Sequence, residues 1–121
     1  MKTINTIYTT PEKHFTVTKK DVNNYQTLLP NVLYEEIESF INSIITNYPE
    51  IIGNAPQLYK LELIRNAYLN DKLLFKVQIK RFNGLELHLQ AIVTKKNLKR
   101  DLVIGKALFK FPLKKSFSKA S

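Results

Sequence analysis

From Tyr59 to Leu113 apolar and polar side chains alternate for most of the way, the period of two that a half-buried strand imposes. A first strand is predicted from Tyr59 to Tyr68, with Asn70-Asp71 as the turn after it. Leu73 to Phe82 follows, placing Phe75, Val77 and Ile79 on one face, and Asn83-Gly84 reads as a hairpin turn. Leu85, Leu87, Leu89, Ala91 and Val93 then share a face, with Glu86, His88 and Gln90 opposite. The basic tract Lys95 to Arg100 makes another turn. Val103, Gly105, Ala107, Phe109 and Phe111 form the last inward stripe, with Gly105 marking a bulge or a close approach of the helix.

The period changes in Asn31 to Asn47, where Leu33, Ile37, Phe40, Ile41, Ile44 and Ile45 recur at helical spacing. Asn31 is the predicted N-cap, Glu35 and Glu36 suit the positive end of the helix dipole, and Pro49 stops the helix. Upstream, residues 2–9 and 14–19 read as strands separated by Pro11, and Asp21 to Asn31 is rich in turn residues. The tail from about residue 113 is expected to be flexible. The expected class is α+β, with one helix against five or six antiparallel strands in a single domain spanning residues 1–121. One helix covers too little of such a sheet, so a homodimer joined at an edge strand or at the helix side is expected.

Composition narrows the chemistry. The 121 residues include no Cys, which excludes disulfides, thiolate metal sites and cysteine nucleophiles, and two distant His make a zinc site improbable. No apolar stretch approaches the roughly 20 residues of a membrane span, and the N-terminus lacks an apolar signal core, so a cytoplasmic protein is expected. The formal charge of +9 is uneven: residues 60–121 carry 15 Lys/Arg against 4 Asp/Glu, and residues 1–59 carry 4 against 6. A basic strand half favours anionic partners: nucleic acid, an anionic membrane surface, an acidic carrier protein or the phosphates of coenzyme A. The plainer reading is a sheet face solvated by Lys.

One helix wrapped by a long antiparallel sheet resembles the hotdog fold of acyl-CoA thioesterases and acyl carrier protein dehydratases, over about residues 13–113. The segment VTKKDVNNYQTLLPNVLYEEIESFI resembles the loop-to-helix step of the 4-hydroxybenzoyl-CoA thioesterase-like and long-chain acyl-CoA hydrolase families. Asp21-Val22-Asn23 falls where those families place an Asp or Asn that acts at the thioester carbonyl, and Asn23 matches the Asn version. Glu38 falls on a helix position that in several branches supplies the carboxylate, often across a dimer interface. Leu29-Pro30-Asn31-Val32-Leu33-Tyr34-Glu35-Glu36 resembles the dehydratase helix start and nominates Glu36, although the His loop those enzymes require is absent.

The resemblance implies thioester hydrolysis, with Asn23 orienting water or the carbonyl and Glu38 as base. Backbone amides of Asn31 and Val32 are the candidate oxyanion hole. Lys95, Lys96, Lys99 and Arg100 would meet the phosphates of coenzyme A or the surface of a carrier protein. No metal and no cofactor beyond the substrate's own coenzyme A or phosphopantetheine is implied. The glycines that usually open the substrate turn are replaced by Gln26, Pro30 and Asn31. That departure supports an alternative, a non-catalytic hotdog domain that binds an acyl ligand or a partner in a lipid or polyketide-like pathway; a divergent dehydratase-like protein is the other alternative. Nucleic-acid binding rests on charge alone and ranks last.

Overall fold

The computed structural model describes residues 11–47 and 57–113. The strand expected at 2–9, the helix stop at Pro49 and the tail from Lys114 lie outside them. Strand β1 spans Glu12–Thr16, helix α1 Pro30–Ile45, and strands β2 to β5 span Leu58–Leu63, Lys72–Phe82, Glu86–Lys96 and Asp101–Pro112. The strands form one antiparallel sheet in the order β1-β3-β4-β5-β2, so β1 and β2 are its described edges.

α1 lays Leu33, Ile37, Phe40, Ile41 and Ile44 against the sheet, all of them buried. Ala91 and Ala107 pair directly on neighbouring strands and are fully buried. Two methyl groups in register at the middle of the sheet let a helix carrying bulky Ile and Leu approach closely. Phe75 fills the flank toward β1, edge-on to Phe40 at 6.0 Å and to Phe15 at 6.4 Å. Sixteen helical residues reach about 24 Å, whereas an 11-residue strand such as β3 or β4 reaches about 37 Å. Ile79 and Leu85, both expected inward, are 59% and 58% exposed: β1 pairs only with Lys72 to Lys76, so Ile79 lies past the strand that flanks β3, and Leu85 precedes β4.

Other expectations shift for local reasons. The first strand ends at Leu63 rather than Tyr68, because Ile64 and Arg65 both donate their amides to the Ile104 carbonyl and the chain turns away. The strand expected over 14–19 ends at Thr16, and a 3-10 turn over Lys19–Asp21 follows. Between β4 and β5 the register slips at Val93/Thr94, so Ile104 is extra on β5; it takes the buried position and Val103 is left half-buried. A bulge reverses the alternation on its far side. Beside it a Cβ on Gly105 would lie 3.0 Å from the Glu62 carbonyl oxygen and 3.8 Å from Leu33, so the close neighbour is the β2 backbone before the helix.

Asn83 does not need the left-handed geometry that an Asn-Gly hairpin usually uses. Its side-chain oxygen instead accepts the amides of Leu85 and Glu86 at 2.7 and 2.9 Å. The N-cap is Leu29, not Asn31, because Pro30 occupies the first helical position and sets its geometry. No helix among the described residues is long and apolar enough to cross a membrane.

Candidate active site

The loop from Val17 to Leu29 is folded by its own polar side chains. Asp21, 4% exposed, accepts from the Thr18 amide at 2.9 Å and the Thr18 hydroxyl at 2.8 Å, with Lys20 Nζ at 3.6 Å. Burial alone would raise its carboxyl pKa; the Thr18 hydrogen bonds and the Lys20 charge outweigh that and hold it below the ordinary value. Thr18-x-x-Asp21 is therefore a capping box closing the 3-10 turn. Its spacing was open to sequence reading. The Asp21 carbonyl then accepts from Leu29 N–H at 2.9 Å, which ties this turn to the start of α1.

Asn23 is exposed, and its Oδ1 accepts the amides of Tyr25 and Thr27 at 2.8 and 3.0 Å. The loop it closes puts Gln26 at φ 66°. With the carbonyl oxygen committed, the Asn23 NH2 is what remains to face a substrate. It can donate a hydrogen bond to a carbonyl oxygen and cannot take a proton.

At the helix start, Pro30 has no N–H, and the amides of Val32 and Leu33 both point to the Leu29 carbonyl at 3.1 Å. Of the two expected oxyanion donors, Val32 is thus spoken for, while the Asn31 amide has no backbone acceptor among the described residues.

The two candidate carboxylates stand on opposite flanks of α1, since two positions at about 100° each separate them by about 200°. Glu36 faces β1 and accepts from Lys13 Nζ at 2.6 Å. Glu38 lies on the flank turned from β1, with the Tyr34 hydroxyl at 3.4 Å. Burial, then the nearby Glu38 charge, pushes the Tyr34 hydroxyl pKa up. Glu38 is seven residues beyond Asn31, about 10 Å along the axis. Within one chain Asn31 and Glu38 do not converge on one reacting atom.

Lys95 is half-buried and engaged: Nζ meets Asp71 at 3.0 Å and lies 5.3 Å from the centre of the Tyr68 ring. Asp71 also takes the Tyr68 amide at 2.8 Å, closing the Tyr68–Asp71 turn, with Asn70 at φ 74°. This turn binds the Asn23 loop through Leu69 N–H to the Gln26 carbonyl at 3.0 Å. Asp71 and Tyr68 thus link the helix-entry loop to the cationic strand end. The Asn70-Asp71 turn was legible in the sequence, but nothing local announced its partner Lys95, 24 residues on. Lys96, Lys99 and Arg100 are exposed on the β4–β5 hairpin. Among the described residues no group of His, Cys, Asp or Glu could hold a metal ion.

No protein-family model and no curated protein matches the sequence. The fold, in contrast, matches solved structures. A variant of an acyl-CoA hydrolase from Staphylococcus aureus superposes with a TM-score of 0.73 at 11% identity, over 86% of this chain and 65% of that one. A 4-hydroxybenzoyl-CoA thioesterase variant in complex with 4-hydroxybenzoyl-CoA gives 0.69 at 9% identity, over 86% and 83%. β-Alanyl-CoA:ammonia lyase from Clostridium propionicum gives 0.66 at 11% identity, over 89% and 87%. The protein therefore has the hotdog fold found in acyl-CoA thioesterases. It spans just under two thirds of the staphylococcal hydrolase, and at these identities the fold is what is shared.

Proposed function

We propose that the protein is a homodimeric acyl thioester hydrolase acting on acyl-CoA or acyl carrier protein in the cytoplasm. The observation that carries this reading is the loop-to-helix step: the exposed Asn23 loop is tied through the Asp21 carbonyl to the start of α1, where the Asn31 amide has no backbone acceptor among the described residues, in a fold that elsewhere holds acyl-CoA. Water attacks the thioester carbonyl carbon as Glu38 takes its proton. The oxyanion that forms is met by the Asn31 amide at the positive end of α1 and by the Asn23 NH2. On collapse the C–S bond breaks and the protonated Glu38 returns its proton to the thiolate, giving free acid and thiol. Lys96, Lys99 and Arg100 meet the substrate's phosphates, and Lys95, held by Asp71, orients that hairpin. Glu36, neutralised by Lys13, has no part in the reaction.

Because Glu38 and Asn31 are about 10 Å apart along one helix, the base comes from the second copy. The β2 edge supports such a pairing. Ile64 N–H bonds to the Ile104 carbonyl, so by alternation Lys60 and Glu62 turn their backbone groups toward β5 and Leu61 and Leu63 turn theirs to the open edge. A two-fold axis at Leu61 sets Lys60 opposite Glu62 of the partner subunit. It also covers Leu58 and Leu63, which are 40% and 52% exposed in one chain.

The test is thiol release from short, medium, long and aromatic acyl-CoAs. Turnover that drops at least 100-fold in both Asn23→Ala and Glu38→Gln, with the fold retained, is the expected result; no turnover on any substrate overturns the reading. The commitment of Asn23 Oδ1 and the Val32 amide favours a second reading, a domain that binds acyl thioesters without hydrolysing them. It predicts a thermal shift with acyl-CoA and no thiol.

A further inference from the structure

The phosphate-binding role accounts for the cations of the β4–β5 hairpin but not for the residue at its tip. Leu98 is 99% exposed, the highest value among the large described hydrophobics. The turn holds it there: Asn97 N–H donates to the Arg100 carbonyl at 3.0 Å, and Asn97 Oδ1 accepts the Leu98 amide at 2.9 Å. Lys96, Lys99 and Arg100, all exposed, flank Leu98 along the same hairpin. Lys72 begins β3 opposite Thr16, and Lys19 and Lys20 follow Thr16 by three and four residues, so these exposed lysines extend the positive field across the same end of the sheet. Two of the acids at this end are already engaged, Asp71 by Lys95 and Asp21 by Thr18 and Lys20; Asp101, exposed at the base of the hairpin, is the third.

An aliphatic apex flanked by cations fits one kind of partner better than the others. Nucleic acid asks for an aromatic or planar group on which bases stack, and the tip offers an aliphatic one. A free phosphate group asks for the cations and gains nothing from Leu98. An anionic bilayer uses both, with headgroup phosphates meeting the flanking charges and the leucine entering the boundary of the acyl region. We propose that the β4–β5 hairpin docks the protein on anionic phospholipid surfaces through insertion of Leu98. This inference stands apart from the hydrolase reading and holds for a ligand-binding domain as well.

The chain has no Trp, so L98W introduces a single indole at the tip. With vesicles containing phosphatidylserine its emission is expected to shift to the blue and to be quenched by lipids brominated near the headgroup. A control indole at Gln78, on the exposed part of β3, stays unshifted. L98Q is expected to weaken co-sedimentation with these vesicles about tenfold, a little less than full burial of a leucine side chain would give. K96E/K99E/R100E should weaken it by on the order of 100-fold or more, since each cation near such a surface contributes about fivefold. Phosphatidylcholine vesicles retain none of these effects.

No co-sedimentation at low salt, or partition of L98Q equal to wild type, overturns the proposal. So does tight binding to single-stranded RNA that ignores L98Q while vesicles are left unbound. Thiol release from a short, soluble acyl-CoA, followed in parallel, is expected to be unchanged in L98Q. A failed hydrolase assay with intact vesicle binding therefore leaves docking standing, and the reverse result removes docking alone.

Discussion

An asparagine whose carbonyl oxygen is already bonded to two backbone amides has only its NH2 left for a substrate, and Asn23→Asp isolates that group. A carboxylate keeps the acceptor that the Tyr25 and Thr27 amides require, so the loop should survive. It also places negative charge where the oxyanion forms, and kcat is expected to fall by about 100-fold or more with little change in Tm. Turnover equal to wild type would show that the NH2 does not meet the carbonyl. Asp21 makes a different point. Asp21→Ala removes a buried cap and should cost about 1–2 kcal/mol at neutral pH. Because the folded carboxyl titrates below its ordinary value, the stabilisation is complete above the unfolded-state pKa and is lost as pH falls through the folded-state pKa. Denaturant melts of the two proteins should therefore differ at pH 7 and converge in strong acid.

At the scale of elements, the face of α1 was legible because the buried positions Leu33, Ile37, Phe40, Ile41 and Ile44 keep a helical period and nothing interrupts it. The last strand was less legible. A bulge at Ile104 swaps which side Val103 and Ile104 face, and no residue type announces a bulge by itself. Glycine at 105 was a sound hint, and its reason is the Glu62 carbonyl at 3.0 Å from a would-be Cβ. Gly105→Ala should push β2 from β5 and cost about 1–3 kcal/mol in a denaturant melt. The flanks of Glu36 and Glu38 follow from the helical period, but their partners Lys13 and Tyr34 did not. Which carboxylate a lysine from a distant strand will meet is decided only when the sheet has formed.

At the scale of the whole molecule, pairing of two chains along β2 can be tested by charge exchange. K60E sets two carboxylates against each other wherever positions 60 and 62 meet across the axis, and should favour monomers; E62K does the same with two lysines. Mixed together, the two variants should recover a dimer by light scattering, which a contact elsewhere on the surface has no reason to produce. The β3–β4 hairpin end that extends past β1 has a consequence in time as well as in space. Around the buried Ala91–Ala107 pair, strand hydrogen bonds lie under the helix, and their amides can exchange with solvent only when the core opens. Toward Ile79, Phe82 and Leu85, the end of the β3–β4 hairpin lies beyond the reach of β1 and its apolar side chains are exposed. In heavy water the amides of that hairpin end should take up deuterium first, while those at the alanine pair wait for global unfolding.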